Sequence, residues 1–310
     1  MLTRWQPFGD VRAELNRLHH EMNRLFGRYS NGVRDLSGAF PPLNLWEDDG
    51  NLYVEAELPG FTSDDIEMYV TADNQLSLRT GISASIIPNV MDFDNPPSPV
   101  DDYSSDIRQA FGIEDDQLLI LQPTRVVGRK GIEHSIELVK RLGMKARLVI
   151  THASVDEGHD YEMRVKEYAK IMNVDTVFES DIIKQRRGKS STGNKIYSLF
   201  DVYPHADLVT YPSGYEGFGN AFLEAVYFRK PMVVNLYSIY ETDIKPKGFR
   251  AIELPGYVDD KVLADTREII NNPELCEKIV EHNYKLGKRY YSYSVLQRKL
   301  KNLLFDMFGS

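Results

Sequence analysis

From about residue 82 the chain repeats one rhythm: a short apolar run, a loop, then an amphipathic stretch at helical spacing. QLLILQPT at 117–124 reads as a buried strand, GIEHSIELVKRLG as a helix, ARLVITHA as a second strand and DYEMRVKEYAKIM as a second helix. DLVTYPS at 207–213 is another strand, NAFLEAVYF a helix with Ala221, Phe222 and Ala225 on its apolar side, and PMVVN at 231–235 a further strand, with helices to the C-terminus. Strands alternating with helices in this way argue an α/β fold, a Rossmann-like parallel sheet covered on both faces. Ligands of such sheets bind at the carboxyl ends of the strands.

Residues 1–80 follow a different pattern, so the division expected is 1–80 and 81–310. Val11, Leu15, Leu18, Met22 and Leu25 alternate spacings of four and three, which predicts an amphipathic helix over 10–27 behind Asp10 as N-cap. Its narrow seam suits either docking on a core or self-association. The Gly-, Ser-, Asn- and Pro-rich stretch YSNGVRDLSGAFPP is a linker. After it, Leu52, Val54, Ala56 and Leu58 alternate with polar residues, DDGN at 48–51 supplies a hairpin turn, and IEMYV and LSLRT continue as short strands. The fold class therefore includes a partial antiparallel β segment ahead of the parallel sheet.

A chain of 310 residues exceeds the size at which one core stops growing, which favours two domains. Its 37 basic and 46 acidic residues give a net charge of −9, with no basic stripe of the kind that binds nucleic acid. The single cysteine, Cys276, excludes an internal disulfide framework and a CxxC site. No run approaches eighteen apolar residues and the start MLTRWQPFGD lacks a hydrophobic signal core, so a cytoplasmic protein without a transmembrane segment is expected.

The chemistry gathers in two loops. YPSGYEGFGNAFLEA, residues 211–225, places Glu216 and Glu224 eight positions apart across a glycine-rich turn that feeds a helix. Gly219 and Asn220 should offer free backbone amides at that helix N-terminus, a ready phosphate site. Glu224 lies about two turns into the helix, so the two carboxylates grip different parts of one elongated ligand. PTRVVGRKG at 123–131 follows the strand QLLILQ and carries Arg125 and Lys130 five positions apart, two cations suited to a diphosphate. Hydroxyl-binding carboxylates, two cations and a helix N-terminus describe a site for a nucleotide-diphosphate sugar.

With these motifs, residues 82–310 resemble the donor-binding lobe of retaining glycosyltransferases of family 4, which have the GT-B fold; the likeness runs from IPNVMDFD through TRVVGRKG and YPSGYEGFGNAFLEA to the C-terminal helices. The resemblance implies that Arg125 and Lys130 hold the diphosphate and stabilise charge on the leaving group. It also implies that Glu216 contacts the donor sugar near the reacting carbon and Glu224 the ribose hydroxyls. Gly217, Phe218, Gly219 and Asn220 would present backbone amides to sugar and phosphate. Transfer would then be metal-independent and retaining, with no cofactor beyond the nucleotide sugar itself, to an acceptor the sequence does not name. The acceptor lobe of that fold has no counterpart here, so acceptor groups are expected to come from elsewhere.

Residues 1–80 resemble another family, the small heat-shock proteins. RWQPFGDVRAELNRLHHEMNRLF is similar to their N-terminal arm, and FPPLNLWEDDGNLYVEAELPGFTSDDIEMYVTADNQLSLR to the first half of their alpha-crystallin β-sandwich, without its second half. The alternative function is accordingly a non-catalytic chaperone-like or oligomerising protein. Leu296, Leu300, Leu303, Leu304 and Phe308 of the last helix would lean toward a missing lobe and be covered by helix 10–27 or a second copy of the chain.

Other readings are weaker. GKSST at 188–192 fails as a P-loop because its first glycine would fall at Ile183. Asp92 and Asp94 in MDFD read as capping or linker residues, not a metal-binding pair, and His134, His152, His159, His205 and His282 lack metal-ligand spacing. Arg129 reads as surface charge and Ser213 as structural.

Overall fold

The computed structural model describes residues 43–48, 51–56, 66–70, 76–80 and 88–308, apart from 153–158, 179–180 and 192. The helix expected over 10–27 and the linker after it lie outside the described residues. The chain divides into two compact units, one containing the four N-terminal strands with residues 294–310, the other containing 89–293.

In the first unit, β1 (Leu43–Asp48) pairs antiparallel with β2 (Asn51–Ala56), from Leu43 opposite Ala56 to Asp48 opposite Asn51, so the chain reverses across DDGN. A second antiparallel pair joins β3 (Ile66–Val70) to β4 (Leu76–Thr80). The last helix of the chain, Tyr293–Phe308, falls almost wholly in this unit.

The second unit is built on six parallel strands: β5 (Leu118–Gln122), β6 (Ala146–Ile150), β7 (Thr176–Phe178), β11 (Leu208–Tyr211), β12 (Met232–Asn235) and β13 (Ile252–Leu254). Their spatial order is β13-β12-β11-β5-β6-β7, every pair parallel. Counted along the unit this is 3-2-1-4-5-6, the doubly wound order, whose direction of winding reverses between β5 and β11. Connections leaving those two strands diverge, and the divergence opens a crevice at their carboxyl ends.

Both faces of the sheet are covered. Leu119 and Leu121 of β5, Val209 of β11 and Val234 of β12 pack into one apolar cluster, while Ile120, Leu208 and Val233 pack into the other. Alternate residues thus serve opposite faces, and so the strands read as unbroken apolar runs. Each such fully buried aliphatic side chain contributes about 1.5–3 kcal/mol. The first cluster takes in helix Asn220–Tyr227 and the second helices Ile132–Leu142, His159–Met172 and Asp260–Asn271.

The polar stretch 183–198, including RRGKSSTGN, is more ordered than its composition suggests. It forms a small sheet, β8 (Ile183–Lys184), β10 (Lys195–Ser198) and β9 (Gly188–Lys189) in that spatial order. Gly188 therefore sits in a strand, its carbonyl accepting from the Tyr103 hydroxyl at 2.9 Å. Asp92 caps a turn, accepting from the Asn95 amide and side chain at 3.3 and 2.9 Å, as the capping reading expects.

Candidate functional site

The site is organised by the ends of β5 and β11. Gln122, the last residue of β5, is fully buried, and its Nε2 donates to the Lys130 carbonyl at 3.1 Å, drawing the loop 123–131 back over the strand that launched it. Gly131, with φ +58, ends a 3-10 turn over Gly128–Lys130 and starts helix α2 (Ile132–Leu142); a Cβ there would stand 2.6 Å from the Pro212 carbonyl oxygen. Only glycine permits that approach of the two loops. The Gly214 amide then donates to the Arg129 carbonyl at 2.9 Å, joining the loop after β11 to the loop after β5. From β12, the nearly buried Asn235 donates to the Ser213 carbonyl at 3.1 Å and accepts from the Gly256 amide at 3.0 Å. Three strand ends are thereby tied into one rim.

On this frame Lys130 Nζ hydrogen-bonds and ion-pairs with Glu216 Oε1, and both side chains are about nine-tenths buried. Arg129 NH1 reaches the same carboxylate oxygen at 3.3 Å and the Tyr215 carbonyl at 3.3 Å. Arg129 is exposed, as its reading as surface charge expects, and it shares the Glu216 carboxylate without lining the cleft. The tight 3-10 turn lets two neighbouring side chains converge on one acceptor. Arg125 is exposed, without an ion-pair partner among the described residues, and lines the same cleft as Lys130. Burial pulls the Lys130 pKa down; Glu216 opposes the fall, while Arg129 and Arg125 add to it. The ring of Tyr211 lies 5.5 Å beneath the Lys130 ammonium.

Gly219 has φ +100 and caps helix α5 (Asn220–Tyr227); a Cβ on it would meet Tyr237 Oη at 2.8 Å and Tyr211 at 3.0 Å. Tyr237 also donates to the Phe218 carbonyl at 2.8 Å, and Phe218 turns its ring edge-on to Tyr291 at 5.1 Å. Aromatic packing therefore fixes the turn that sets the helix N-terminus. Asn220 Oδ1 accepts from Asn89 at 2.7 Å. Glu224 accepts from the buried Tyr203 hydroxyl at 2.7 Å, and burial raises its pKa.

A cleft of about 330 Å³ gathers Arg125, Lys130, Glu216, Asn220 and Glu224 on its walls. Gly217, Phe218 and Gly219 carry the chain between Glu216 and Asn220 without lining it. Of the residues singled out by spacing, five meet in one space. His152, just past the end of β6, also lines this cleft, and sequence spacing gave it no role. It is shared with a larger neighbouring cavity of about 590 Å³, walled by Ile183, Leu199 and Phe200 with Lys184 and Gln185. Two contiguous hollows, one charged and one largely apolar, suit an elongated ligand with a charged middle and a planar end.

Residues 190–286 match the sequence model of the family described as Glycosyl transferases group 1. That stretch is thus similar to a group 1 glycosyltransferase domain. The chain is 30% identical over 256 residues to mannosylglucosylglycerate synthase of Thermotoga maritima, covering 73% of this chain and 57% of that protein. A Petrotoga mobilis protein of the same name is 33% identical over 201 residues, covering 59% of this chain and 46% of its own length. The chain spans about half the length of the curated relatives it matches. Among solved structures, Anabaena HepE in complex with UDP and glucose superposes with a TM-score of 0.56 at 16% identity, over 71% of this chain and 56% of that one. Sucrose-phosphate synthase from Thermosynechococcus elongatus superposes with a TM-score of 0.55 at 17% identity, over 72% and 52%. The α/β unit thus has the Rossmann-like architecture of a GT-B glycosyltransferase lobe. The small heat-shock resemblance of residues 1–80 gains no support from these comparisons. Among the described residues no helix is long and apolar enough to cross a membrane, and no group of three or more His, Cys, Asp or Glu is arranged to hold a metal.

Proposed function

We propose that the α/β unit binds a nucleotide-diphosphate sugar in the cleft between β5 and β11 for metal-independent, retaining transfer of a hexosyl group. The observation that carries this reading is the convergence of Arg125, Lys130, Glu216, Asn220 and Glu224 on one cleft at the point where the strand order reverses. Arg125 and Lys130 would hold the diphosphate and stabilise the charge gained as the sugar–phosphate bond breaks. The Phe222 and Leu223 amides donate to the Gly219 carbonyl at 3.0 and 3.4 Å, so the Asn220 and Ala221 amides at the start of α5 would add donors to the same oxygens. Glu216 and Glu224 would take the sugar and ribose hydroxyls, Glu216 exchanging part of its ion pair for the ligand. The apolar cavity beside His152 would receive the base.

Relatives named for mannosylglucosylglycerate synthesis point to a hexose donor and a glycosylated small-acid acceptor. The chain spans only part of those relatives, so acceptor contacts are assigned to groups outside the described cleft. A chaperone-like role for residues 1–80 rests on sequence resemblance alone and has no observation here to favour it.

Calorimetric titration with uridine, guanosine and adenosine diphosphates and their sugars tests the reading. Saturable binding of one nucleotide, lost in Lys130→Ala and Glu216→Ala, is expected. Binding that survives both substitutions would rule out this cleft, and absence of binding by the folded chain would rule out the donor reading.

A further inference from the structure

We propose that His152 is a proton-linked contact of the donor cleft, neutral when the cleft is empty and taking up a proton when a diphosphate enters. The inference rests on the donor reading above and goes beyond it by making donor affinity pH-dependent through one residue.

His152 follows β6 by two residues and stands where the charged and the apolar cavities meet, lining both. Thr151 Oγ1 lies 2.8 Å from its Nδ1, which fixes the ring and leaves Nε2 for a ligand. The charged groups around it come from four elements. Arg125 and Lys130 project from the loop after β5, Glu216 from the loop after β11, Glu224 from α5, and Lys184 from β8 across the second cavity. Glu216 is occupied by Lys130 and Arg129, so among the described residues the Arg125 and Lys130 cations dominate the field at the imidazole.

Desolvation in the cleft holds the His152 pKa below its ordinary value, and the Arg125 and Lys130 cations push it the same way. A bound diphosphate reverses that field: it neutralises the two cations and offers acceptors to a second N–H. The bound complex then has the higher pKa, and binding takes up a proton in the window between the two values. Affinity accordingly rises as pH falls through that window and is flat above it. One unit of difference between free and bound pKa corresponds to a tenfold span of affinity.

The test is calorimetry of the full chain with UDP-glucose and with GDP-mannose, whose diphosphates carry no group that titrates near neutrality. Titrations at pH 5.5, 7 and 8, in two buffers of different ionisation enthalpy, count protons directly. For whichever sugar nucleotide binds, the wild-type chain should take up a fraction of a proton at pH 7 and bind about fivefold to tenfold tighter at pH 5.5 than at pH 8. His152→Asn should lose both the uptake and the pH dependence. His152→Lys, charged throughout, should lose the uptake and keep tight binding at pH 8. Circular dichroism checks the fold of each variant. No uptake in the wild type, or unchanged uptake in either variant, overturns the proposal while leaving the donor site intact. Wild-type binding that Lys130→Ala does not weaken overturns the donor reading, and this inference with it.

Discussion

Two clusters of charge in the α/β unit use the same kinds of side chain in different surroundings. Beside the small sheet β8-β10-β9, two cations are matched by carboxylates. Arg187 donates to Asp101 and Asp201 at 2.5–3.1 Å, and Lys195 to both oxygens of Asp106 at 2.7 and 2.9 Å. The Tyr103 ring lies within 4.8 Å of Arg187 and 4.6 Å of Lys195. At the strand ends, by contrast, Arg129 and Lys130 share one carboxylate, Glu216, Arg125 lines the same cleft, and Glu224 is held by a tyrosine. The first cluster is complete by itself, its carboxyl groups held below the usual range by arginine and lysine. The second has positive charge in excess, which a bound anion would complete. Matched charge holds a fold together; unmatched charge at the mouth of a cleft is what a ligand uses.

The sharpest way to break this comparison is Lys130→Ala. Affinity for the nucleotide sugar should fall at least about 100-fold, roughly 2.7 kcal/mol. The melting temperature should change little, because relief of a buried charge offsets the loss of the Glu216 ion pair. The lowered Lys130 pKa means that the unfolded chain holds this proton more firmly, so its charge opposes folding at neutral pH. That penalty disappears as pH rises from the folded value towards 10.5. A clear fall in melting temperature at pH 7 would show that Lys130 is structural.

Gly219→Ala should cost about 2 kcal/mol of stability, because a Cβ at φ +100 meets both Tyr237 and Tyr211. It should also weaken donor binding, since the same tyrosines aim the N-terminus of α5. Denaturant unfolding and titration of one preparation measure both effects.

Arg187→Ala sharpens the comparison from the other side. Asp201 is 6% exposed, and removing its arginine leaves a buried carboxylate with only Ser198 as partner, a loss of about 1–2 kcal/mol. Donor affinity should not change. Asp201 has a lowered pKa, so the stability supplied by the pair is present above 3.8 and is lost as pH falls through the folded value. The difference in melting temperature between wild type and Arg187→Ala should therefore narrow in acid. An unchanged difference at pH 2 would mean that Arg187 acts by packing over Tyr103.

The strands and helices of the larger unit were legible because each is long, apolar and punctuated by loops, and the pairs Arg125/Lys130 and Glu216/Glu224 were legible from spacing after strands. The Arg129 contact with Glu216 was not, since adjacent residues usually diverge and only the 3-10 turn brings the two together. His152 had no spacing partner at all; its role depends on β6 ending beside β5, which is a fact of strand order. The Tyr203 contact with Glu224 spans 21 residues and that of Tyr237 with Phe218 spans 19, packing between elements that local periodicity does not report. Strands β8 to β10 escaped notice because strands of two to four residues leave no periodicity.

We propose that the excess cations and the α5 N-terminus together form one diphosphate site. Its most direct test is a crystal structure of the chain soaked with the nucleoside diphosphate that binds in solution. Phosphate oxygens are expected within hydrogen-bond distance of Lys130 Nζ, Arg125 and the Asn220 and Ala221 amides at the start of α5, with the Lys130–Glu216 pair loosened. A nucleotide seated elsewhere, with that pair intact, would contradict it.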